Sequence, residues 1–144
     1  MNFEQHFTDK QKGMISLALE YADAIGESVD KVYIYTSFEN NLYAFDIFFK
    51  KNDEYYMLHE LSNSVDPSLI IDVLQIGNKD LRDIKQICDK YAQQMPTQMK
   101  IVYDNNLKKV SAEYSYDIFH SDSTTLTYRD IFQKWFKEVK NSSL

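Results

Sequence analysis

The rhythm of apolar and polar positions changes several times along the chain, and each change marks an element. Met14, Leu17, Ala18, Tyr21, Ala22 and Ile25 recur at helical spacing and give one apolar stripe. Thr8-Asp9-Lys10-Gln11 ahead of it reads as a capping box, in which Thr8 accepts from the third helical amide and Gln11 reaches back. Gly26 is placed to end this helix in the left-handed region. A period of two follows. Lys31 to Thr36 is β-branched and aromatic, and Leu42 to Lys50 sets Tyr43, Phe45, Ile47 and Phe49 on one face. After the polar turn Lys51-Asn52-Asp53, Glu54 to Leu61 alternates through Tyr55, Met57 and Leu61. Such short gaps predict an antiparallel meander.

The helical period then returns. Asp66-Pro67 is a cap with proline in the first turn, Leu69, Ile70, Val73 and Leu74 form a stripe, and Gly77-Asn78 predicts a break. A second helix carries Leu81, Ile84, Ile87, Cys88, Tyr91 and Met95 up to Pro96. Met99, Ile101 and Tyr103 next alternate with Lys100 and Val102. Beyond the Asp104-Asn105-Asn106 turn, Val110, Ala112, Tyr114 and Tyr116 alternate with Lys109, Ser111, Glu113 and Ser115. That hairpin has an apolar and a polar side, which predicts one wet face. A last helix opens at Thr127, capped with Asp130, and carries Ile131, Phe132, Trp135, Phe136 and Val139; Asn141 to Leu144 are expected to fray. The predicted order is α-βββ-αα-ββ-α. Strands cluster instead of alternating singly with helices, which favours an α+β fold with an antiparallel sheet of about five strands. The chain shows no repeat and no dividing linker, so residues 1–144 read as a single domain.

Composition narrows the function classes. A chain of 144 residues with 44% hydrophobic and 15% aromatic residues supports a proper core and is not a disordered segment. The net charge of -6 argues against non-specific nucleic-acid binding, which needs clustered cations, and fits a soluble protein or one that meets a basic partner. The start, Met1-Asn2-Phe3-Glu4-Gln5-His6, lacks a basic and then apolar leader, and no stretch has the length of a membrane span. A cytoplasmic protein without membrane contact is expected. A single cysteine excludes an internal disulfide.

Catalytic signatures are sparse. Gly13, Gly26 and Gly77 are too far apart to cradle a phosphate, and His6, His59 and His120 have no metal-ligand spacing. No cofactor, metal or catalytic residue is assigned. Cys88 shares a stripe with Ile84 and Tyr91, so it is read as packing and not as a nucleophile. His59, in phase with Tyr55 and Met57, is expected to be half-buried. The carboxylates are more informative as a surface: Asp104, Glu113, Asp117 and Asp122 surround the last hairpin beside Tyr103, Tyr114, Tyr116 and Phe119, and read either as a solvated sheet face with a helix-leading loop or as a binding patch. Tyrosine next to carboxylate suits a protein interface. Asp46 and Glu60, around the first meander, are the second candidate patch.

Lys31-Val32-Tyr33-Ile34-Tyr35, the aromatic strand Tyr43 to Lys50, Pro96-Thr97, the run Lys109 to Asp117 ending Tyr114-Ser115-Tyr116-Asp117, Ser121-Asp122 and Trp135 stand in an order that resembles the YezG-like immunity-protein family of Firmicutes. The resemblance spans most of the chain. It implies a small cytoplasmic antitoxin, not an enzyme, that neutralises a cognate toxin exported by type VII secretion, in some relatives a nuclease toxin. Two positions depart from the family pattern: no Trp separates Pro96 from Thr97, and Phe136-Lys137-Glu138-Val139 stands where the family carries a Tyr-x-x-Leu-Gly run. The expected function is therefore immunity by occlusion of a toxin's active site. The alternatives are a secretion chaperone or adaptor, and a small hydrolase using His59 or His120 with a carboxylate in a deep pocket.

Overall fold

A computed structural model describes residues 2–142. Its elements are α1 (Phe3–Ala24), β1 (Lys31–Glu39), β2 (Leu42–Lys51), β3 (Glu54–Met57), a 3-10 turn (Leu58–Glu60), α2 (Pro67–Lys90), β4 (Gln98–Asp104), β5 (Lys109–Ser115) and α3 (Tyr128–Ser142). The strands form one antiparallel sheet in the order β3-β2-β1-β4-β5. This is the α+β architecture that the pattern predicts. No described helix is long and apolar enough to cross a membrane.

Strand β1 lies at the centre and is buried on both faces. Val32 and Ile34 face a core shared with α1 and α2, in company with Phe45, Ile47, Phe49, Met99 and Ile101. Tyr33 and Tyr35 face the other way, toward α3, and join Phe48, Tyr55, Phe132, Trp135 and Phe136. The Phe48 ring stacks on Tyr33 at 4.4 Å and meets Trp135 edge-on at 5.0 Å. The first two hairpins turn on Asn40-Asn41 and Asn52-Asp53, each residue with positive φ, as the tight turns that match strand twist require.

Four local expectations need correction. Helix α1 begins one and a half turns before Thr8. Asn2 is its cap, accepting from Gln5 N–H while Gln5 Oε1 accepts from Asn2 N–H. Gly77-Asn78 does not break the middle helix, so the two predicted helices are one continuous α2. A Cβ on Gly77 would lie 2.2 Å from the Phe45 ring. The glycine serves close helix–sheet approach, and its neighbour Asn78 donates back to the Leu74 carbonyl. That helix stops at Lys90 and not at Met95. Ala92 takes φ +53, and Gln93 N–H bonds the Cys88 carbonyl at 2.8 Å, a Schellman stop built without glycine. Strand β3 ends at Met57, and His59 is exposed on the 3-10 turn instead of half-buried on a strand.

Other local expectations hold. Gly26 has φ +74 and completes the Schellman stop of α1. Asp66 caps α2 with Pro67 at its start. Thr127 and Asp130 bond reciprocally ahead of α3. Asn141 and Ser142 are still helical, while Ser143 and Leu144 lie outside the described residues.

Candidate partner-binding surface

Helix α3 covers only part of its face of the sheet, the part over β3, β2 and the Tyr33–Tyr35 stretch of β1. The remainder of that face carries the polar ends of the strands and the irregular segment 116–127, which crosses back to α3. Irregular backbone laid against a sheet must find partners for its amides. Here one side chain supplies three of them. Glu39, 3% exposed at the end of β1, accepts from Phe119 N–H at 3.1 Å, His120 N–H at 3.2 Å and Ser121 N–H at 3.0 Å. Burial alone would raise its carboxyl, but the amides of Ser121, His120 and Phe119 outweigh burial and hold it below the ordinary glutamate range.

His120 completes the clamp. It is buried, with Nε2 at 2.8 Å from Ser37 Oγ and 3.3 Å from Glu39 Oε2. Ser, His and Glu together invite comparison with a hydrolytic triad. In such a triad the serine and the carboxylate bond opposite ring nitrogens, so that the acid orients the ring. In this site both face the same nitrogen, and Ser37 is 1% exposed. The cluster has the geometry of a loop anchor. Thr97 adds to it from the residue before β4, its hydroxyl donating to the Asp117 carbonyl at 2.6 Å.

The anchored segment bounds an open cleft of about 770 Å³. Its walls are Phe38, Glu39 and Asn40 of the first hairpin, Lys85 and Asp89 of α2, Gln93 to Met95, and Ile118, Ser121 and Asp122. Across Gln93 and Gln94 lies a second groove, of about 290 Å³, lined by Phe3, Phe7, Pro96, Tyr114 and Tyr116. Tyr114 is held in that groove: Gln11 Nε2 donates to its hydroxyl at 2.7 Å, and Phe7 meets its ring at 5.7 Å. Exposed large hydrophobic residues gather in this part of the chain, at Val110, Tyr114, Tyr116, Ile118, Leu126 and Tyr128.

The candidate carboxylates are thereby sorted. Asp117 and Asp122 are exposed on either side of the anchored residues 119–121, and Asp122 reaches the cleft. Glu113 is exposed on edge strand β5, opposite Lys100. Asp46 falls in the same cross-strand row as Glu113, through Tyr35 and Lys100, but three strands away and half-buried. Its carboxyl is pushed up to about 6 by burial, against the Ile47 amide and the nearby Arg129 and His59. Glu60 is exposed, and its Oε1 accepts from Met57 N–H at 2.9 Å, a turn-closing role. The structure therefore brings Asp117 and Asp122 to one surface and leaves Asp46 and Glu60 outside it.

Sequence reasoning missed Ser37, Glu39 and His120 as a unit. The available signal was their phase: Ser37 and Glu39 continue the face of Tyr33 and Tyr35. Their partner lies some eighty residues away, where no periodicity points to it. Among the described residues no three or more His, Cys, Asp and Glu side chains assemble to hold a metal ion. Cys88 is fully buried against Met95 Sδ at 3.9 Å, and burial raises its thiol.

No protein-family model matches the chain, and no curated protein matches it.

Proposed function

We propose that this chain is a protein-binding module of the immunity kind, which neutralises a cognate secreted bacterial toxin by covering its active site. The observation that carries this reading is the anchored loop. Asp117 and Asp122 are displayed on backbone fixed by Glu39, Ser37 and His120, next to a groove with tethered Tyr114. Displaying side chains on backbone that is already ordered lowers the entropy cost of association. Tyrosine supplies large contact area, and exposed carboxylates steer a basic partner toward it.

The proposed mechanism is occlusion. The net charge of -6 accelerates encounter with a basic cleft, and burial of the aromatic residues slows release. No substrate is turned over. The test is co-expression of the chain with the toxin encoded beside it, followed by purification and binding kinetics at low and high salt. Protection of the host and a stable complex are expected. Asp117→Lys with Asp122→Lys should slow association at low salt and flatten its salt dependence while the fold is retained. A folded chain that neither protects nor binds overturns the reading, and unchanged kinetics in the double variant remove this surface from it.

A further inference from the structure

The two edges of the sheet differ. Strand β3 offers only Glu54–Met57 before the 3-10 turn, whereas β5 leaves seven residues, Lys109–Ser115, with one side unpaired. The phase of the ladder decides which backbone groups face outward. Asn105 N–H donates to the Asp30 carbonyl at 2.8 Å and Phe38 N–H to the Thr97 carbonyl at 2.9 Å, so the odd-numbered positions of β4 bond to β1. Its even-numbered positions then bond to Lys109, Ser111, Glu113 and Ser115 of β5. The N–H and C=O groups of Val110, Ala112 and Tyr114 are left pointing away from the sheet.

We propose that this edge pairs antiparallel with the same strand of a second copy, about a two-fold axis at Ala112, to form one continuous sheet across the dimer. Three properties of β5 fit this register. The outward-bonding residues meet only one another: Ala112 faces Ala112, and Val110 faces Tyr114 twice. Those Val110–Tyr114 pairs set a β-branched side chain, 51% exposed, against an aromatic one, 43% exposed, a favourable cross-strand combination. On the opposite side of the strand no like charges meet. Lys109 lies opposite Ser115 and Ser111 opposite Glu113, while Lys109 is diagonal to the Glu113 of the second copy, within reach of long side chains. The edge also lacks proline, and its two charges are of opposite sign, so nothing on it repels an identical strand. The contact is isologous and closes at two copies.

The experiment is sedimentation of the full chain over a concentration series, with variants that read the register. Ser111→Lys sets a cation directly opposite Glu113 at two symmetry-related points and should tighten the dimer by about 2- to 30-fold; Ser111→Glu should loosen it by a similar factor. Urea midpoints measured on dilute protein check that both variants keep the fold. In a Cys88→Ala background, Ala112→Cys should cross-link under mild oxidation, because facing α-carbons at about 5.5 Å lie within disulfide range. Monomeric behaviour at every concentration overturns the proposal. So does weaker association of Ser111→Lys, or cross-linking of Ala112→Cys no faster than that of Asp53→Cys at a distant turn. An edge that stays empty between copies but accepts a strand from another protein overturns it as well.

Discussion

The two faces of the sheet are built on different principles. The face under α1 and α2 is a continuous apolar layer from Phe49 on β2 to Ile101 on β4, closed by two helices of 22 and 24 residues. The face under α3 is divided. A helix of 15 residues seals an aromatic cluster at one end, and an irregular loop held by Glu39 and His120 covers the other. Two helices can cover a face without exposing backbone, because their amides bond internally; a loop cannot, and it draws a carboxylate into the structure. The dry face supplies stability. The divided face supplies the second core and the anchored loop of the surface assigned to a partner, while the Tyr114 groove of that surface lies on the α1 side of the sheet.

The largest expected effect tests the aromatic end. Trp135 is 8% exposed, packed against Tyr33, Tyr35 and Phe48, with the Lys100 ammonium 5.4 Å from its ring. Trp135→Ala should cost about 3–5 kcal/mol in urea unfolding. A loss below about 1 kcal/mol would mean that the second face adds little to the core and would make the tryptophan available as an interface anchor. The polar end comes next. Glu39→Gln removes the charge that three amides share, and a loss of about 2–4 kcal/mol is expected. Proteolysis should then cut first within 116–127, where an unanchored backbone becomes accessible. A loop as protected as before would separate its order from Glu39.

How much of this was legible in the chain follows the same division. The dry face could be read because helical and strand periods report burial directly, and Met14, Leu17, Ala18 and Tyr21 with Phe45, Ile47 and Phe49 are where their spacing puts them. The start of α1 was hidden by Gln11, a polar residue on the apolar stripe. It is 7% exposed and satisfied by Tyr114, a partner 103 positions away. Ala92 hid the end of α2, since an alanine at positive φ gives no signal. The divided face was legible only at Ile131, Phe132, Trp135 and Phe136, whose stripe is helical. Its polar half depends on contacts between β1 and a loop eighty positions later, and no local pattern encodes them.

Gly77 then tests the dry face against its own propensities. Alanine in mid-helix ordinarily stabilises by about 1 kcal/mol over glycine. At this position a Cβ would enter the Phe45 ring, which is itself 4% exposed and confined by the core. Gly77→Ala should therefore destabilise by about 1–3 kcal/mol, reversing the sign that propensity gives. A stabilised variant would show that the helix stands off the sheet by more than a methyl group.

The smallest effect distinguishes the two carboxylates of the divided face by pH. Glu39 has its carboxyl held low, so its contribution to stability is present above the ordinary glutamate range and fades as pH falls through its lowered value in the fold. Asp46 behaves oppositely. Its carboxyl is raised from 3.8 to about 6, chiefly by burial, so the folded state binds a proton that the unfolded chain has released. Between those two values stability falls as pH rises, and above the upper one the cost of the buried charge is fully present. Asp46→Asn keeps an acceptor for the Ile47 amide, which bonds Oδ1 at 2.8 Å, and removes the titration. Unfolding measured at pH 4, 5, 6 and 7 should show the variant gaining on the parent by about 1 kcal/mol across the series, a figure discounted for the water that reaches a half-buried side chain. Because Glu39 titrates in both proteins, its contribution cancels in the difference. Parallel curves would mean that Arg129 compensates the charge of Asp46, and the two carboxylates would then differ in their partners but not in their cost.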